Sequence, residues 1–223
     1  MTDPSTEPLD VLDAAGVVTG RVKPRAQVHV DGDWHRAIHI WVVRPGGLVL
    51  VQRRSWTKDL EGGKLDVSVG GHVRAGEPFV DSLREAKEEL GLTLRPGQVE
   101  YLGTVVSVRE YPGLPVPLTD REHQDVYVTR DERPLDEYRL QLEEVEAVYE
   151  VPVARAVTLF RHGEHVAAAG YDSMRRPSNA LLYEADLPSQ GRELLAESLE
   201  RVAAYLNGEG ASDIAQRPFG AEP

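Results

Sequence analysis

Gly71-His-Val-Arg-Ala-Gly-Glu77 followed by Arg84-Glu85-Ala-Lys-Glu88-Glu89-Leu-Gly91-Leu92 sets a glycine loop directly ahead of a helix with a crowded carboxylate face. At 100° per residue Phe79, Leu83, Ala86 and Leu90 stack into one apolar stripe fit to dock on a sheet, while Glu85, Glu88 and Glu89 fan over roughly a 100° arc elsewhere. Glu85 and Glu89 stand at i,i+4, a like-charge pairing that costs a helix roughly 0.2–0.5 kcal/mol unless a cation lies between them. Hard divalent cations take carboxylate oxygens, so the pattern points to Mg²⁺, or Mn²⁺ in its place.

Composition narrows the partners. The 223 residues, 41% hydrophobic and 28% charged, suffice for one domain with extensions. A net charge of −12 argues against a nucleic-acid polymer, whose binding rests on Lys and Arg neutralising phosphates. A nucleotide-sized substrate is compatible with it. The absence of cysteine excludes disulfides, thiolate metal ligands and a thiol nucleophile. Met1-Thr-Asp-Pro-Ser-Thr-Glu-Pro8 carries no basic or apolar leader, and no apolar run reaches the roughly eighteen residues of a membrane helix. The expectation is a cytoplasmic protein without a membrane partner, monomeric or homodimeric.

Outward from the signature, Leu65 to Val69 reads as a strand entering the loop and Leu102 to Val108 as one following the helix. Leu9 to Leu12 and Val17 to Val22 form a hairpin around Asp13-Ala-Ala-Gly16, and Ala37 to Val43 with Leu48 to Gln52 form a second around Arg44-Pro-Gly-Gly47. Pro112, Gly113, Pro115 and Pro117 make Tyr111 to Arg121 a loop facing substrate. Asp125 to Thr129 and Val145 to Val151 read as strands, and Val153 to Leu159 as a short helix. Leu195, Leu199, Val202 and Leu206 give a packing helix over Arg192 to Leu206, closed by Gly208. Residues 1–8 and 207–223 are expected to be flexible.

The signature resembles that of the Nudix superfamily, G-x5-E-x7-R-E-U-x-E-E-x-G-U with U aliphatic. Arg84, Glu85, Ala86, Glu88, Glu89, Gly91 and Leu92 fill its second half. Gly71 and Glu77 fill the first, but six residues rather than seven separate Glu77 from Arg84, so no site role is carried over to Glu77. The resemblance implies an α/β fold, a Nudix-type α/β/α sandwich with a mixed central sheet, an N-terminal hairpin and a C-terminal helix, as one domain over residues 9–206. It also implies Mg²⁺ held by Glu85, Glu88, Glu89 and the carbonyl of Gly71, with Arg84 orienting Glu85.

Leu12-Asp-Ala-Ala-Gly16, Trp34-His35-Arg-Ala-Ile-His39-Ile-Trp41, Gln52-Arg-Arg54 with Lys58, and Asp66-Val-Ser-Val-Gly-Gly-His72 are similar to the branch containing isopentenyl diphosphate isomerases and their hydrolase relatives. That resemblance implies a second metal site on His29, His35 and His72. Its carboxylates would fall near His123 and Asp125. With an imidazole at one of these positions, weak occupancy is expected. The isomerase's catalytic cysteine falls on Gly70, which disfavours alkene isomerisation.

The activity expected is MutT-like pyrophosphohydrolysis of a nucleoside diphosphate-linked or similar diphosphate small molecule, by metal-assisted attack of water on phosphorus. Glu85 is the first choice of general base and Glu144, just ahead of a strand, the second. Arg53, Arg54 and Lys58 follow a strand and are candidates to clamp the diphosphate. A diphosphate isomerase and a non-catalytic ligand-binding module are the alternatives.

Overall fold

The computed structural model describes residues 4–209. Its centre is the strand β3 (Trp34–Arg44), whose run Ile38, Ile40, Trp41, Val42 and Val43 is buried on both faces, as an interior strand of a covered sheet must be. A hairpin turn with positive φ at Gly46 and Gly47 leads to β4 (Leu48–Arg54), and the two strands pair only at their turn end before splaying apart. Into that gap fit β5 (Leu65–Asp66) on β4 and β6 (Val69–His72) on β3, so the single strand expected over Leu65 to Val69 is two. Ser68 bridges the gap, its hydroxyl donating to the Leu50 carbonyl and accepting from the Val42 N–H.

The N-terminal hairpin is β1 (Pro8–Leu12) and β2 (Val18–Pro24). It is followed by α1 (Arg25–Asp31), which shows no clear apolar period and was not expected. Past the signature come β7 (Val99–Tyr111) and β8 (Leu118–Arg130), antiparallel to each other, with β8 parallel to β3. Both outrun their expected spans, because the hydrogen-bonded ladder continues through polar residues that periodicity does not register. The loop expected over Tyr111 to Arg121 shrinks accordingly, and Asp120 lies in a strand.

The chain continues through β9 (Val145–Pro152), α4 (Val153–His162), and the unexpected pair β10 (Val166–Asp172) and β11 (Ala180–Leu182) to the C-terminal helix Arg192–Leu206. The sheet order is β11-β10-β9-β4-β3-β1-β2, with β8 and then β7 on the other side of β3.

The signature helix is broken at Leu83 into α2 (Phe79–Ser82) and α3 (Arg84–Leu90), and Gly91 ends α3 at φ 67°. Leu83, Ala86 and Leu90 pack with Ile38, Ile40, Val42 and Tyr127 on one face of the sheet. The opposite face carries Trp41, Val43, Val126 and Val128 under Leu159 and Phe160 of α4 and Leu195, Leu199 and Val202 of the C-terminal helix, here α5. Trp41 Nε1 donates to Ser198 Oγ at 2.9 Å, locking sheet to helix. This is the expected mixed sheet between helices.

The expectation of a loose chain through residue 8 does not hold from residue 4 onward. Pro4–Thr6 form a 3₁₀ turn, Glu7 pairs with Arg74, and Pro8 begins β1. Residues 1–3 and the tail from 210, also expected to be flexible, lie outside the described residues.

Candidate active site and cation clusters

Arg84 organises the start of α3. Its Nε donates to Glu77 Oε1 at 2.8 Å, its Nη1 to Glu85 and, at 3.2 Å, to Glu88, and its Nη2 to the His72 carbonyl at 3.2 Å. Glu77 thus reaches Arg84 despite the short junction, helped by the break at Leu83, and its other oxygen accepts from the Arg74 N–H. Glu85 lies against Gly71 of β6, where an added Cβ would stand 2.2 Å from Glu85 Cδ. Only glycine allows that approach. Burial, opposed by Arg84 and reinforced by Glu88 and Glu7, pushes the Glu85 carboxyl up to about 7.

Glu89 is buried, and its Oε2 accepts from Gln52 Nε2 at 3.0 Å and the Gly70 N–H at 3.2 Å. Burial, with Glu85 and Glu144 nearby, raises its pKa well above the carboxylate range. Glu144 forms an ion pair with Lys58. Glu88, by contrast, is largely exposed and leans on Arg84. The three helix glutamates therefore line one region without converging on a single point.

The predicted diphosphate clamp is not assembled. Arg53 Nη1 donates to the Gly63 carbonyl and to Asp186, with its guanidinium 5.7 Å over Tyr149, while Arg54 is bound to Asp66 at 2.8 Å. With Lys58 on Glu144, the three cations answer three separate carboxylates.

The histidines do come together. His29 of α1, His35 of β3 and His72 of β6 form a group whose donor atoms lie within 4.8 Å of one another, and His35, Asp120 and Glu122 form a second such group sharing His35. His35 Nε2 stands 3.4 Å from Asp120 Oδ1, and His72 Nε2 3.5 Å from Glu122 Oε1. The buried atoms His29 Nε2, His35 Nε2 and Asp120 Oδ1 have no hydrogen-bond partner, a costly state for polar groups unless a ligand completes them.

Asp125 is corrected out of this cluster. Side chains alternate along a strand, so Asp120 and Glu122 share the face of Val126, while His123 and Asp125 share the face of Tyr127, on the α3 side. Asp125 instead accepts from Thr104 Oγ1 at 2.6 Å. The expected replacement of a carboxylate by His123 therefore does not arise, and with it goes the reason for weak occupancy.

Asp120, Glu122 and Arg109 were missed by sequence reasoning; acidic residues at i,i+2 ahead of apolar Val126 and Val128 were the available signal. Arg25 was missed as well. Its charge helps depress His29 and His72.

Burial first, then His72, His35 and Arg25, push His29 down to about 2, and burial pushes His72 down to about 3. Both imidazoles stay neutral, the form that ligates metal. The unfolded chain takes up these protons near the ordinary 6.5 while the fold refuses them, so stability falls as pH drops below that value. In chelator-treated protein the loss is expected to reach about 1 kcal/mol per pH unit for each histidine between about pH 6 and pH 4. Urea unfolding across this range should show a shallower slope in a His29→Asn, His72→Asn variant; an unchanged slope contradicts the assignment.

The NUDIX domain family model matches residues 33–169, and the chain belongs to this family. Nudix hydrolase 3 of Arabidopsis thaliana is 39% identical over 150 residues, covering 66% of this chain and 19% of that protein. An uncharacterized Nudix hydrolase of Clostridium acetobutylicum is 33% identical over 148 residues, covering 65% of this chain and 69% of that one. The chain thus spans about a fifth of the first relative and just over two thirds of the second. In fold it resembles DR0079 from Deinococcus radiodurans, with a TM-score of 0.55 at 22% identity over 71% of this chain and 91% of that one. His29 and the C-terminal helix lie outside the matched span. No helix among the described residues is long and apolar enough to cross a membrane.

Proposed function

We propose that the chain hydrolyses a nucleoside diphosphate-linked or similar diphosphate small molecule, with Mg²⁺ or Mn²⁺ as cofactor. The observation that carries this reading is Glu85, seated against Gly71 and oriented by Arg84, one turn from the buried Glu89. A carboxylate held beside the cation is within reach of the water it activates and suits a general base. Glu85, Glu88, Glu89 and the Gly71 carbonyl would hold the cation, whose charge neutralises the diphosphate and acidifies the attacking water. Glu144, already near Glu89, is the second candidate base, and Lys58 beside it is the cation best placed to meet a phosphate.

The histidine cluster is the second cation site of this reading. Three imidazoles with Asp120 and Glu122 suit Zn²⁺ or Mn²⁺, and the unpartnered buried atoms fit that role. A screen of nucleoside diphosphates, triphosphates, dinucleotides and prenyl diphosphates with Mg²⁺ tests the function. Phosphate or nucleotide release from at least one of them is expected, and none from any would refute the hydrolase. Isopentenyl diphosphate should show no conversion to the dimethylallyl isomer by proton NMR, since Gly70 supplies no proton-transfer group; turnover above a no-enzyme control would reverse that.

A further inference from the structure

Arg109 of β7 lies directly across the ladder from Asp120. Its Nη2 donates to Asp120 Oδ2 at 2.7 Å and also to Glu122 Oε2, an oxygen that accepts from Gln124 Nε2 at 2.7 Å as well. The guanidinium therefore holds the outer oxygen of each carboxylate. The inner oxygens, Asp120 Oδ1 and Glu122 Oε1, are left facing His29, His35 and His72 at 3.4–3.8 Å. The aliphatic stem of Arg109 lies beside Gly191, where an added Cβ would come within 3.3 Å of its Cδ. The start of α5 thus backs it from outside the span matched by the family model.

Two carboxylates this close and this buried repel each other, and an unpaired buried charge is strongly destabilising. Arg109 supplies the opposite charge from within the chain. We propose that Arg109 is the built-in counter-ion of the histidine cluster: it keeps Asp120 and Glu122 in place when no metal is bound, and its positive charge holds down the affinity of the cation that enters. The inference rests on the histidine cluster being a cation site.

Two effects of removing Arg109 oppose each other. Loss of a partner that orients metal ligands typically weakens binding 10–100-fold. A full positive charge on the same two carboxylates, in a site of low effective dielectric, repels an incoming divalent ion by more than that. The charge effect wins.

Arg109→Gln is therefore expected to be less heat-stable than wild type after chelator treatment, and to bind Zn²⁺ or Mn²⁺ at least about tenfold more tightly, with a larger metal-induced rise in Tm. Arg109→Lys, which keeps the charge but loses the planar fork, should bind metal no more tightly than wild type. Affinities come from titration against a competing chromogenic chelator, and Tm from thermal melts with and without each metal. Binding by Arg109→Gln equal to or weaker than wild type overturns the proposal and makes Arg109 an orienting group only. If Arg109→Gln does not fold even with metal, the neutral Arg109→Met, which keeps an aliphatic stem beside Gly191, decides by the same criterion. If neither wild type nor any variant binds metal, the cation site itself fails, and the proposal with it.

Discussion

Glu89→Gln is expected to lower Mg²⁺-dependent phosphate release on the order of 10²-fold or more while leaving Tm unchanged or slightly higher. The two halves have one cause. Glu89 is a buried carboxylate whose burial, with Glu85 and Glu144 close by, works against its charge. The amide keeps the shape and an oxygen to accept from Gln52 or Gly70, and it removes the charge that the fold disfavours. The same charge is what would hold the cation, and a bound cation supplies several kcal/mol of transition-state stabilisation, which converts to at least this rate loss.

Glu88→Gln should also lose activity, with less effect on Tm because Glu88 is largely exposed. Glu85→Gln removes the proposed base, a step worth about 10²–10⁴-fold. Initial rates over a Mg²⁺ titration, beside thermal melts, provide the check. If Glu88→Gln and Glu89→Gln both keep more than a tenth of wild-type activity, the helix does not hold the catalytic cation.

The signature was legible because its spacing is rigid: a helix repeats every 3.6 residues, and Leu83, Ala86 and Leu90 fall on the stripe that docks on the sheet. The turn residues Gly46 and Gly47, and Gly91 after α3, marked element ends for the same local reasons. What the sequence hid depends on partners distant along the chain. Whether Asp120 and Glu122 or His123 and Asp125 face the histidines is a matter of strand parity, and one residue of register reverses the answer. The polar start of β8, read as loop, left that parity undetermined. Arg53 looked free because nothing local reveals Asp186, which lies far along the chain and binds it. Arg109 drew no attention for the same reason. A lone arginine in a β-rich stretch declares its role only when the neighbouring strand brings two acids to it.

The second large effect expected is at the histidine cluster: protein purified without chelator should carry about one transition-metal ion per chain, lost in a His35→Ala, His72→Ala double variant. His35 is the hinge of the argument, since it belongs to both ligand groups and is fully buried. Zn²⁺ and Mn²⁺ take imidazole nitrogens together with carboxylate oxygens, and neutral imidazoles need no deprotonation before they bind. Removing both side chains takes away two of five donors and leaves Asp120 and Glu122 to Arg109, Gln124 and His29. The variant should still fold, because Arg109 continues to neutralise the pair. Elemental analysis gives the metal content, and the Mg²⁺ titration of hydrolysis gives a second readout. Retained activity with lost transition metal would assign catalysis to the α3 carboxylates, with the histidine site separate from it. Loss of both would mean that the two sites, joined through Gly71 and His72 of β6, act on one substrate. Wild-type protein with no bound metal, and no uptake on adding Zn²⁺ or Mn²⁺, would leave the three histidines as packed side chains and refute the site.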